Sequence, residues 1–353
     1  MTGLARLGAL WNSIQKWLFP LLEDELGELD EKHRLFVAVC ETCAPGARMG
    51  PYRWLGNGCP PKSRLALFKA FVAKALWDFP TTRALLDAVR SRPALRRLCG
   101  WESLAEVPSE ATFSRAFASF AQDGLVQSVH EAMILDRYGD KVAGHVSRDG
   151  SAVEAREKSA KKKPKDPSEG AAEPTRMERQ LERSLEQNLE DLPRKCDWGK
   201  KKDSKGKTVQ WRGYKLHADV IDGDIPVSWI VTSASAHDSQ AAIPLAQMTS
   251  GRVASLYDLA DAAYDAKAIR DMSSRLGHVA IIDHNPRRGE KREFAPAEAV
   301  RYRQRSSAER VFSHLRDNHG GKHTRVRGAA KVAAHLSFGL LVIAAEQLLK
   351  MLC

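Results

Sequence analysis

Four residues near the end of the chain carry the first sign of chemistry. Tyr302, Arg305, Glu309 and Arg316 follow one another at steps of three, four and seven residues within YRQRSSAERVFSHLR. Such steps keep side chains on one face of an α-helix. The sequence therefore predicts one helix over 302–316, with a carboxylate set between two guanidiniums. Val311, Phe312 and Leu315 form a second, apolar stripe that would anchor this helix to a core. Spacing alone does not separate a reactive face from the ordinary solvated one, laced with weak ion pairs.

Two aspartates precede this helix in strand-like settings. AGHVSRDGSAV places Asp149 after a short strand at 145–148, although Asp-Gly is also a common hairpin turn. ASLYDLADAAYDA places Asp261 just past a strand at 254–259. Asp258 competes with it from inside the strand, and Asp265 is placed to cap or orient a helix over 266–276.

Tyr302-x2-Arg305-x3-Glu309-x6-Arg316 resembles the Tyr-x2-Arg-x3-Glu-x6-Lys signature of bacterial insertion-sequence transposases of the DDE type. Arg316 departs from the pattern, keeping the charge but replacing a point donor with a planar fork. The settings of Asp149 and of Ala260-Asp261-x2-Tyr264-Asp265 are similar to that family's two aspartate elements. The resemblance covers roughly residues 50–345, with 159–207 outside it. It implies a triad of Asp149, Asp261 and Glu309, both catalytic and metal-binding, with Glu154 and Glu157 as fallback ligands. The implied cofactor is Mg²⁺, with Mn²⁺ able to substitute. Arg305, Arg316, Arg287 and Arg288 are implied DNA contacts, and Tyr302 is a weaker one.

These groups need a scaffold. Strands are expected at 145–148, 209–221, 225–234, 254–259 and 279–283, with Asp222-Gly223-Asp224 as a hairpin turn. His237-Asp238-Ser239 is expected to open a helix running to Met248, with Asp238 or Ser239 as its cap. The fold class this order implies is α/β: a ribonuclease-H-like mixed five-stranded sheet flanked by helices, preceded by an all-helical N-terminal domain. The expected domains are 1–140, helical and DNA-binding, and 141–353, catalytic. Residues 159–207, poor in large apolar side chains and rich in Lys, Glu and Arg, read as an exposed, partly disordered insertion with a charged helix at 175–192.

The first 140 residues read as helices at 62–77, 81–89 and 93–98, with another opening at Ser109. Leu4, Leu7, Trp11, Ile14 and Trp17 mark an amphipathic helix stopped near Pro20. Arg90, Arg92, Arg96, Arg97 and Arg115 are candidate phosphate contacts.

Composition narrows the partners. The net charge of +11 over 353 residues favours a polyanion, nucleic acid first. Six cysteines make no dense disulfide framework and suit a reduced cytosol. Cys40-x2-Cys43 lacks the second pair of a zinc ribbon, and Cys40 is expected to pack as a small hydrophobe. The apolar run at 336–349 is interrupted by Glu346 and falls short of the ~20 residues a membrane span needs, so it reads as a buried final helix. The expected protein is a cytoplasmic, nucleoid-associated DNA transposase without a membrane partner. It would cut double-stranded DNA at element ends and join the 3′-hydroxyl to target DNA by two-metal-ion chemistry, as a dimer on DNA. A metal-dependent nuclease of the same fold and a catalytically silent DNA-binding remnant or repressor are the alternatives.

Overall fold

In a computed structural model of the chain, the described residues are 2–49, 61–160, 174–202, 206–286, 290–322 and 324–352. They form two compact units. The first comprises Met1–Asp140, His314–Arg325 and Ala333–Cys353, the second Lys141–Ser313 and Val326–Val332. The C-terminal helix, expected with the catalytic domain, thus folds mainly with the helical unit.

The helical unit starts its helices at polar caps that satisfy orphan backbone N–H groups. Ser63 Oγ accepts from Ala66 N (3.2 Å), Thr81 Oγ1 from Ala84 N (3.0 Å) and Ser109 Oγ from Thr112 N (3.4 Å). These open the helices Arg64–Leu76, Thr82–Ser91 and Glu110–Gln122. Pro93–Cys99 ends at Gly100, whose φ of 107° is the left-handed stop a glycine supplies. Phe68, Phe71, Phe113, Phe117, Phe120 and Phe338 pack ring on ring as the centre of this core. Each such side chain contributes about 1.5–3 kcal/mol on burial.

Three expectations about this unit change or sharpen. Pro20 does not stop the first helix. Gly3–Ser13 passes through a π turn at Ile14–Leu18 into Phe19–Leu26. The turn places Pro20 at the start of the new segment, where its missing N–H costs little. Trp17 is consequently turned out, 76% exposed, instead of sharing the buried face. Cys40 and Cys43 are buried on the helix Glu31–Cys43, where burial pushes the Cys40 thiol up to about 12 and raises that of Cys43. Both are packing thiols. The helix Ala329–Lys350 is long and apolar enough to cross a membrane, yet 83% of its most apolar stretch is buried within the protein. It serves as a core helix.

The second unit is built on one mixed sheet. Its strands are β1 (Val142–Glu154), β2 (Asp197–Lys202), β3 (Thr208–Ile221), β4 (Ile225–Ser233), β5 (Ala254–Ala260) and β6 (Val279–Ile282). All five expected strands are present, and β2 is a sixth. β3 lies antiparallel to β1, while β5 and then β6 continue from β1 in parallel. The long β3 pairs with β2 through 208–213 and with β4 through 214–221. β1 is buried on both faces in its middle, as the central strand of such a sheet must be.

Asp149-Gly150 is not a turn. β1 runs straight through it, with Asp149 opposite Ala218 and Gly150 opposite His217. The 159–207 stretch is more structured than its composition suggests. Arg176–Leu181 and Leu185–Asp191 are short helices, each opened by a reciprocal Ser/Thr–Glu/Gln cap. Buried Asn188 donates to Gln180 O and Gln247 Oε1, both at 2.9 Å. Met177 and Leu181 pack against Ala242, Ile243, Ile269 and Met272. Residues 161–173 and 203–205 of that stretch lie outside the described residues.

Candidate active site

Asp149 and Asp261 are brought together by sheet register. Arg148 and Ala260 are partners across the parallel β1–β5 pair. The next residue on each chain is therefore Asp149 and Asp261, side by side on one face. Adjacent strands lie about 4.8 Å apart. Asp149 Oδ1 accepts from Gly150 N at 2.7 Å. Asp261 has extended backbone and opens a single 3₁₀ turn, Ala262–Tyr264, by accepting from Ala263 N at 2.9 Å.

Glu309 arrives from a different element. The single helix expected over 302–316 is two helices, Pro296–Tyr302 and Ser306–Asn318, joined by a 3₁₀ turn at Arg303–Arg305. Ser147 Oγ on β1 donates to Gln304 O at 2.9 Å and ties this turn to the strand. Ser147 and Asp149 are two apart and so share a face. Arg305 follows directly: its Nη1 lies 3.6 Å from Asp149 Oδ2, and its Nη2 donates to Glu309 Oε1. One guanidinium bridges the first and third acids. Val311, Phe312 and Leu315 anchor the helix as expected, all buried.

The electrostatics follow from this crowding. Burial pushes the Asp149 carboxyl up to about 6; Asp261 and Glu309 push the same way, while the Gly150 N–H and Arg305 oppose them. Burial also raises Asp261, opposed by the Ala263 N–H and Arg305 and helped by Asp238 and Asp283. Asp149 thus feels the charges of both other acids. An all-oxygen set of this kind suits a hard divalent cation. The hydroxyl of buried Tyr264 has no hydrogen-bond partner among the described residues, and its proton is held by burial and then by the negative field of Asp238, Asp149 and Asp261. A buried orphan donor beside clustered carboxylates fits a site completed by a hydrated cation.

The remaining sequence candidates sort as follows. Tyr302 packs on Phe294, with ring centroids 4.7 Å apart, and carries the Arg305 guanidinium over its ring at 5.8 Å. Arg316 is exposed in the last turn of its helix. Arg287 and Arg288 lie outside the described residues. Asp258 is buried elsewhere, accepting from Ser273 Oγ at 2.6 Å. Glu157 is occupied by the Tyr214 hydroxyl and Gly328 N, and Glu154 is exposed on the last position of β1. Asp265 does not cap the helix Lys267–Arg275. It accepts from Arg270 Nη2 (2.9 Å) and Asn285 N (3.0 Å), bracing the segment after β6.

Asp238 is the residue that sequence reasoning undervalued. It precedes the helix Ser239–Ser250 but its side chain makes no cap bond. Its Oδ1 instead accepts from Lys215 Nζ at 2.9 Å and would lie 3.2 Å from a Cβ placed on Gly150. That puts a fourth carboxylate against the backbone of Gly150, and its charge acts on Asp261. The signal was Gly150 itself: a side chain there would meet both Asp238 and His217.

A family model described as "Transposase DDE domain" matches residues 145–344. A second, described as "Transposase domain (DUF772)", matches residues 38–119. No curated protein matches the chain.

Proposed function

From a chain that belongs to the transposases with a DDE domain, and whose sheet unit accordingly has a ribonuclease-H-like fold, we propose the following activity. The protein cuts double-stranded DNA at the ends of its element and joins the freed 3′-hydroxyl to target DNA. The observation that carries this reading is the convergence of Asp149, Asp261 and Glu309 around one guanidinium, Arg305.

Asp149, Asp261 and Glu309 would hold the metal, Mg²⁺ by preference, because carboxylate oxygens are its natural protein ligands. Bound divalent ions in such a site activate the attacking oxygen and stabilise the leaving one. Asp149 takes the central position, since both other acids act on it. Arg305 neutralises the acids in the free protein, and its planar fork then serves a DNA phosphate. Tyr302 supports that guanidinium from below, a use of its ring that suits the Phe294 packing better than stacking on a base. Asp238 and Lys215 hold the strand segment behind Asp149 in place. The helical unit, the exposed Arg316 and the cations Arg287 and Arg288 bind DNA through phosphates. Two ends must be handled together, which calls for a dimer on DNA.

The test is cleavage of a linear duplex carrying the element's own ends, with Mg²⁺ or Mn²⁺. Wild type is expected to give cut and joined products. Glu309→Gln, Asp149→Asn and Asp261→Asn should bind DNA but lose cutting by more than the ~10–100-fold typical of outer-shell residues. Cutting without joining would make the protein a nuclease. A Glu309→Gln protein that cuts like wild type would remove Glu309 from the site.

A further inference from the structure

Outside the acidic site, the helical unit holds a second cluster of ligating side chains. His314, His319 and Glu346 each direct one ligand atom to a common point, all three atoms lying within 4.8 Å of one another. His314 Nε2 and His319 Nε2 are 3.2 Å apart. Glu346 Oε2 lies 4.0 Å from the first and 3.8 Å from the second. The carboxylate is too far from either ring for a direct hydrogen bond. The point equidistant from the three atoms is about 2.1 Å from each, which is the length of zinc–imidazole and zinc–carboxylate bonds. We propose that His314, His319 and Glu346 form a zinc-type metal site that staples the C-terminal helix to the end of the Glu309 helix and the turn after it.

Three features of the cluster support this. First, Glu346 is the carboxylate that interrupts the otherwise apolar helix Ala329–Lys350, and it is 7% exposed. A buried charge of this kind is retained when it is paired or coordinates a metal. Second, His319 is oriented from behind. Its Nδ1 lies 3.3 Å from Ala75 O. An N–H donated there turns the Nε2 lone pair toward His314, from whose Nε2 it accepts when no ion is bound, and makes it the ligating nitrogen for a metal, the usual outer-shell arrangement of a metal-bound histidine. Third, His319 and Glu346 are nearly closed off, whereas the His314 side chain is 30% exposed. An ion has a way in from that side, and a water can complete the coordination.

The donor set selects the metal. Two imidazoles and one carboxylate suit Zn²⁺, or Co²⁺ as its spectroscopic substitute, and are poor ligands for Mg²⁺. The site is therefore chemically distinct from the all-oxygen cluster at Asp149. Lys32 and Lys350 act on the same pocket. Burial raises the Glu346 carboxyl to about 7 against the opposing pull of these lysines, whose charges also weaken the site's hold on a cation, so binding of moderate strength is expected.

The experiment uses the full chain, stripped with a chelator and titrated with Co²⁺ in excess Mg²⁺, which fills the all-oxygen site. Wild type should bind one Co²⁺ with the intense visible band of four-coordinate cobalt, lost on adding Zn²⁺. His314→Gln, His319→Gln and Glu346→Gln should each lose the band. Asp149→Asn should keep it. Zn²⁺ should raise the melting temperature of wild type and Asp149→Asn, but not of the three ligand variants. His314→Gln, at the half-exposed position, keeps the test decisive if His319→Gln misfolds. Absence of a four-coordinate band in folded wild type would overturn the proposal. So would a full band in folded Glu346→Gln or His314→Gln.

Discussion

Arg148 and Asp219 offer a sharp test of how the sheet holds its acids. The two are register partners across β1 and β3. Arg148 Nε and Nη2 donate to Asp219 Oδ1 and Oδ2 at 2.8 and 2.7 Å, and Thr249 Oγ1 adds a third bond at 2.7 Å. Both side chains are essentially sealed from solvent, 3% and 0% exposed. Replacing Arg148 by Met leaves a buried carboxylate without its counter-charge, which costs about 3–5 kcal/mol. With a urea m-value of about 2–3 kcal/mol/M for a unit this size, the midpoint should fall by about 1–2.5 M. Arg148→Met with Asp219→Leu removes both charges and should recover about 2 kcal/mol of that loss. The remaining deficit, about 1–3 kcal/mol, is the hydroxyl of Thr249 left without its acceptor. Urea titrations followed by tryptophan fluorescence measure all three proteins, and buried Trp229, opposite Ala218 on β4, reports on the same sheet. A loss below ~1 kcal/mol in the single variant, or a double variant no more stable than the single one, would refute the reasoning, because a buried, bidentate pair cannot be cheap to break on one side only.

Two further outcomes are expected. His335 is partly buried, with Nε2 2.9 Å from Gly320 O, and burial holds its pKa down at about 4, helped by the Lys74 charge. An unfolded His titrates near 6.5, so this group leaves stability intact above that pH and removes about 3 kcal/mol progressively between 6.5 and about 4; urea midpoints against pH should show the slope in wild type and a flatter one in His335→Gln. Gly150→Ala places a Cβ 3.1 Å from His217 Nδ1 and 3.2 Å from Asp238 Oδ1. The displaced neighbours should cost about 1–3 kcal/mol and shift Asp149, so DNA cleavage should fall further than the melting temperature implies.

Much of the scaffold was legible in the sequence because its signals are local. Thr81, Ser109 and Gly100 announce helix ends through their own backbone chemistry, and each does what its residue type favours. Strand runs such as IPVSWIVTS are written in apolar, β-branched patterning and needed no partner to be recognised. The triad was visible only through a resemblance of motif, since spacings of 112 and 48 residues between the acids carry no geometry of their own.

Tertiary structure decided the rest, wherever the answer depended on a partner distant in sequence. Asp149-Gly150 looks like a turn by local chemistry, and pairing with β3, on a strand whose preceding residues also pair with β5, keeps it extended. Composition marks 159–207 as solvated, yet β2 and the Asn188 helix find hydrogen-bond partners on β3 and Gln247. Asp238 reads as a cap until Lys215 arrives from β3 to claim its carboxylate. His314, His319 and Glu346 fall on no metal-binding spacing, because packing two helices against each other is what makes them neighbours. Propensity is set by a residue and its nearest neighbours along the chain. Charge convergence is set by which strands and helices pack, and that is a property of the fold.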